Sequence, residues 1–140
     1  MTPKRREDLR MMFGGRCAYC GCELPVKGWH ADHVEPVIRE TKWVRSTDAK
    51  PGRFVPTGTL LRPQNDTDDN LFPACRACNI DKGSSPLEDW RGWLQDRMVD
   101  SLRKQVANFR HAERFGIVKI SREPLVFWFE KFREQQLDAA

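Results

Sequence analysis

Apolar residues recur every three or four positions from Leu87 through Trp90, Leu94, Met98, Leu102 and Val106 to Phe109. That spacing predicts an amphipathic helix that runs to about Phe115, unbroken or bent near Asp100–Ser101, and ends at Gly116. Ahead of it, Ser85-Pro86-Leu87-Glu88 has the form of a capping box with proline in the first turn. Behind it, Ile117, Val118 and Ile120 suggest a short extended piece, and Ser121 a cap for a last helix over roughly 122–137. That helix is apolar on more than one face (Leu125, Val126, Phe127, Trp128, Phe129, Phe132), so it should pack on two surfaces. At the other end, Thr2-Pro3 reads as an N-cap with proline at the first helical position, opening a helix that Gly14-Gly15 stops. Leu9, Met12 and Phe13 give it a short apolar stripe. Arg5, Arg6 and Arg10 suit its solvated face, with phosphate contact as the sharper alternative.

The middle of the chain has no helical period. Residues 26–34 read as a strand, closed by Glu35-Pro36, and Leu71-Phe72-Pro73 as a second short strand. A brief helix is expected from about Cys78 until Gly83-Ser84-Ser85. Residues 37–66 form a long connection rich in proline and glycine. Within it, Lys42-Trp43-Val44-Arg45 and Arg53-Phe54-Val55 could pair as a hairpin. Alternating basic and aromatic residues there suit a nucleic-acid contact and equally an ordinary surface hairpin.

At 140 residues, 39% hydrophobic and 31% charged, the chain should fold as one globular domain with a modest core. It has no apolar run of membrane-spanning length and no signal-peptide stretch at its basic N-terminus. The expected location is therefore cytoplasmic, with no membrane partner. The net charge of +4 permits a polyanionic partner without demanding one. Arg103, Lys104, Arg110, Arg114, Lys119 and Arg122, against the single acid Glu113, could be a solvated helix face or a patch tracking a nucleic-acid backbone.

The cysteines change the picture most. In a reducing compartment, paired cysteines point to metal before disulfide, and five is an odd number for a closed disulfide set. Cys17/Cys20 and Cys75/Cys78 are two C-x-x-C pairs, the spacing of one four-sulfur zinc site. Cys22 is assigned as a spare thiol, though it could replace Cys20. A four-thiolate zinc has no open position, so hydrolysis would have to lie elsewhere. Between and beside the pairs sit Asp32, His33, Asn70 and Asn79. A histidine suits base chemistry near neutral pH, and carboxylate and amide oxygens suit hard cations. Singly each is weak, since a lone histidine is more often structural and Asn79 could be a helix cap. His30, on the face of Asp32, fits a structural hydrogen bond. Asp66, Asp68 and Asp69 could be rival ligands, and turn chemistry explains them more simply.

The run C-x-x-C, D-H-V-x-P, N-L-x-x-x-C-x-x-C-N-x-x-K, from Cys17 to Lys82, resembles the HNH endonuclease family with its ββα-metal fold. The resemblance covers just under half the chain and leaves residues 83–140 aside. It implies His33 as the general base that deprotonates water, Asp32 as ligand of the catalytic ion, and Asn70 as a brace for the base. Asn79 stands where a last histidine often sits, which makes this an H-N-N variant; Lys82 matches the family lysine and could meet a phosphate. The link from His33 to Asn70 is longer than the compact family pattern.

The expected architecture is thus α+β: a ββα-metal core over residues 16–83 with a four-cysteine zinc site and an insert at 37–66, preceded by a helix over 1–15 and followed by a helical extension over 84–140. The expected activity is metal-dependent DNA cleavage, with structural Zn²⁺, catalytic Mg²⁺ or Mn²⁺ at Asp32 and Asn79, and nucleic-acid contacts at Lys82, Lys42, Arg45, Arg103 and Lys104. A homodimer, or the nuclease subunit of a phage packaging or restriction assembly, fits the same residues. The alternative from another class is a non-catalytic zinc module that binds nucleic acid or protein.

Overall fold

The computed structural model describes residues 1–46 and 51–140; residues 47–50, within the 37–66 insert, lie outside them. The fold is α+β with two two-stranded antiparallel sheets. Helix α1 (Pro3–Met11) starts as expected, with the Thr2 hydroxyl accepting from the Arg5 N–H at 3.2 Å. It buries Leu9, and the turn after it buries Phe13.

The first strand is shorter than its apolar run suggested. β1 covers only His30–His33, because Gly28 sits at φ +93° and Val26 stays exposed. β2 (Arg39–Val44) and β3 (Arg53–Leu60) form the expected hairpin, longer than foreseen, with Lys42 opposite Val55, Trp43 opposite Phe54 and Val44 opposite Arg53. β4 (Leu71–Ala74) returns beside β1, pairing Asp32 with Phe72 and His33 with Leu71. α2 (Arg76–Lys82) follows directly, with Cys75 as its N-cap.

The long amphipathic stretch is helical but not unbroken. α3 (Leu87–Gly92) runs through a wider π-helical turn (Trp93–Arg97) into α4 (Met98–Gln105). The chain then breaks at Val106, φ −120° and ψ 101°, rather than at Asp100–Ser101, before α5 (Ala107–Arg114). Ser85 does not cap α3: Pro86 occupies that position and no side chain caps the helix. Residues 117–120 form no strand. The last helix, α6 (Trp128–Asp138), begins six residues later than expected. Pro124 interrupts the run, and the real cap is the Glu130 carboxylate, which accepts the Phe127 N–H at 2.8 Å.

One aromatic core holds these pieces together. Phe13 meets Phe72 edge-on at 4.9 Å, Tyr19 meets Trp90 edge-on at 5.2 Å, and Trp90 stacks on Phe127 at 5.3 Å. Such pairs add roughly 0.5–1.5 kcal/mol each beyond area burial. Segment 127–129 threads beside the first cysteine turn, where Trp128 and Phe129 N–H groups donate to the Tyr19 and Ala18 carbonyls at 3.0 and 2.8 Å. The close approach needs Gly21: at φ +76°, a Cβ there would stand 3.2 Å from the Trp128 ring. Among the described residues no helix is long and apolar enough to cross a membrane.

Candidate metal centre and adjoining cleft

The first cysteine turn closes on itself, with the Cys17 N–H donating to the Cys22 carbonyl and the Gly21 N–H to the Cys17 carbonyl. β4 and the start of α2 bring Cys75 and Cys78 to the same place. The four sulfurs of Cys17, Cys20, Cys75 and Cys78 all lie within 4.8 Å of one another, and Cys20 and Cys75 are 3.8 Å apart. A tetrahedral ion with Zn–S bonds of about 2.3 Å requires sulfur separations of about 3.8 Å, so the group is arranged to hold a metal ion such as zinc. Cys20, and not Cys22, belongs to the group of four. The Cys17 thiol is held down at about 4, first by a hydrogen bond from Cys78 and then by backbone N–H groups, against the opposing effect of burial. Burial pushes Cys22 up to about 12, helped by its contacts with Cys20.

Beside the last turn of α2, one turn along from Cys78, β1 presents Asp32 and His33. Adjacent strand residues point apart, and here they do: Asp32 is buried while His33 is partly open. The Asp32 Oδ2 accepts a short hydrogen bond from the Tyr19 hydroxyl and pairs with Lys82 Nζ at 3.1 Å. Burial and the Asp32 charge push the Tyr19 phenol up, which keeps it a donor. Lys82 Nζ also donates to the His33 carbonyl at 2.7 Å. Its side chain is wholly buried. The expected role of Lys82 in contacting nucleic acid is therefore corrected: it is an internal counter-ion, tying α2 to β1.

His33 Nε2 lies 3.0 Å from Asp66 Oδ1. Asp66, a turn residue by its sequence and a possible rival ligand, is placed there by the compact turn Pro63–Asn65 just before it. Asn70 spans the exit from β1. Its Nδ2 donates to the carbonyls of Glu35 and Asn65 at 2.7 and 2.8 Å, and its Oδ1 accepts the Glu35 N–H at 2.9 Å. Asp68 instead pairs with Arg5 at 3.4 Å. Asp32, His33 and Asn79 line one cleft of about 430 Å³, together with His30, Arg39 and Ile38. Ile38 has φ +49°, a strained conformation for a β-branched residue. The Leu61 N–H holds its carbonyl at 2.9 Å.

The remaining expected contact residues fall elsewhere. Lys42 and Arg45 lie on or beside β2 and are exposed. Arg103 is corrected: Glu113 binds it with two bonds of 2.8 and 2.9 Å, and Asp100 lies at 3.5 Å, so its charge is offset locally. Lys104 beside it is exposed. Tyr19 and Arg39 were missed. Tyr19 carries the fainter signal, an aromatic inside a metal knuckle; Arg39 carries none beyond its charge. Compared with known proteins, the chain matches no family model, no curated protein and no solved structure.

Proposed function

We propose that the chain is a metal-dependent DNA endonuclease of the HNH type, with β1, β4 and α2 as its ββα-metal unit and the four cysteines as a structural zinc site. The observation that carries this reading is that His33, Asp32 and Asn79 line one cleft, beside the helix that carries Cys78 of the sulfur cluster. The donors fit a hard cation that keeps water and takes further oxygens from phosphate, since they are one carboxylate and one carboxamide. Both contacts to Asp32 fall on Oδ2, and Oδ1 is the oxygen assigned to the cation. Asp32 and Asn79 would hold Mg²⁺ or Mn²⁺, whose charge offsets the negative charge that builds on the phosphate and the leaving oxygen.

The rest of the chemistry belongs to the chain. With Nε2–H donating to Asp66, the His33 imidazole presents its Nδ1 lone pair, which takes the proton from the attacking water. Asn70 fixes the backbone that follows His33, and Arg39 places positive charge at the cleft for a phosphate. The water oxygen attacks phosphorus in line and the P–O bond to the leaving sugar oxygen breaks. Purified protein with Mg²⁺ should nick or linearise plasmid, and His33→Ala should lower the rate at least about 100-fold with an unchanged circular dichroism spectrum. Equal cutting by the variant removes His33 from the role.

A second reading, a non-catalytic zinc module that binds nucleic acid, draws on the Lys82–Asp32 pair, which already neutralises the carboxylate. Binding without cleavage in Mg²⁺, Mn²⁺ or Ca²⁺ would select it.

A further inference from the structure

The insert forms an arm rather than a loop. β2 and β3 pack principally on each other, and nearly all their residues are exposed. At the tip, Trp43 and Phe54 meet edge-on at 5.0 Å, and Gly52 lies so close that a Cβ there would stand 2.4 Å from the Trp43 ring. These contacts stiffen the ribbon while leaving Trp43 and Phe54 exposed. At its base, Val37 and Ile38 continue the pairing with Arg62 and Leu61, so the arm grows directly from the wall of the cleft.

Its charge is one-sided. Arg39, Lys42, Arg45, Arg53 and Arg62 face a single acid, Glu40, whose carboxylate is bound to Thr57 at 2.6 Å. The intervening sequence adds Asp48 and Lys50, which cancel. Among the described residues none of the five cations makes an ion pair. Directly opposed residues share a face. Lys42 and Arg53 therefore lie on one face and Trp43 with Phe54 on the other, while Arg45 extends the aromatic face beyond the strand.

We propose that the β2–β3 arm is a groove-reading ribbon that lies in the major groove of duplex DNA next to the cleft. The proposal rests on the nuclease reading and names its substrate as double-stranded. A major groove about 12 Å wide admits a two-stranded ribbon, and cations on both faces meet its two phosphate walls. The six residues of β2 span about 17–20 Å. At about 3.4 Å per base pair, the arm covers about five base pairs to one side of the cut.

The test uses the full zinc-loaded chain with His33→Ala to prevent cutting, and compares it with the same chain also carrying Lys42→Ala, Arg45→Ala and Arg53→Ala. Affinity for a 20-base-pair duplex should fall at least about tenfold at 0.1 M salt, and the slope of log affinity against log salt should decrease by about 2 to 3. Hydroxyl-radical protection should be lost over about five base pairs on one side only. Trp43→Ala, which keeps every charge, should reduce the same protection by loosening the ribbon. Unchanged duplex affinity, or loss confined to single strands, overturns the arm's role. Cleavage that ignores the triple substitution in a chain that keeps its native His33 also overturns it and leaves the nuclease reading standing. Arm-dependent duplex binding in a chain that never cuts does the reverse.

Discussion

The protein builds the same motif twice, with opposite outcomes. Strands β1 and β4 are four residues each, and β4 is almost entirely buried. Strands β2 and β3 are longer and almost entirely exposed. The short pair is too small to stand alone. It is held by the aromatic core on one side, the Lys82–Asp32 pair within, and the sulfur cluster at its end. The long pair relies on its own ladder and on Trp43 against Phe54. Length of pairing and depth of support vary inversely here, so the candidate site sits on the ribbon with more tertiary support, while the arm is left exposed.

Removing metal should break this contrast most severely. A structural zinc contributes about 10–16 kcal/mol of apparent binding free energy in small zinc folds, at or above the total stability of an ordinary domain. A strong chelator, or Cys17→Ser, should therefore abolish the cooperative near-UV signal of the buried Trp29 and Trp90. A chain that keeps that signal without metal would show that the aromatic core suffices. Next in size is Lys82→Met, which leaves the Asp32 carboxylate buried without its counter-charge. Urea denaturation should show a loss of about 3–5 kcal/mol, with part regained when Asp32→Leu is added. An additive double variant would mean the two side chains are uncoupled. The smallest effect belongs to the arm: Trp43→Ala should change global stability by less than about 1 kcal/mol. A loss as large as that of Lys82→Met would mean the arm is part of the core.

The cysteine pairs, the Thr2-Pro3 helix start, the hairpin around Trp43 and the strand before Cys75 were legible because each carries a local signal: spacing, a cap, alternation, a break. That Asp32, His33 and Asn79 line one cleft accords with their order around the cysteines. What was not legible depended on partners distant in sequence. Lys82 looks like any charged helix residue until Asp32, fifty positions earlier, is placed beneath it. Asp66 sits in a run of turn formers, and only the closure of the insert carries it to His33. Ser85 looked like a cap because the motif is short; Phe127 found its cap in Glu130 because Pro124 kept the chain extended until then.

The threading of segment 127–129 past the first cysteine turn has a temporal meaning. The Ala18 and Tyr19 carbonyls are made early in synthesis, but the N–H groups that satisfy them come more than a hundred residues later, as does the indole of Trp128 that donates to the Phe13 carbonyl at 3.0 Å. At about 5–20 residues per second, the nascent knuckle waits roughly 5–20 s for its final strap. During that interval Phe13 lacks its cover from Phe129 and Phe132, and Tyr19 its cover from Phe127, so a stalled ribosome would hold the chain with part of its aromatic core open.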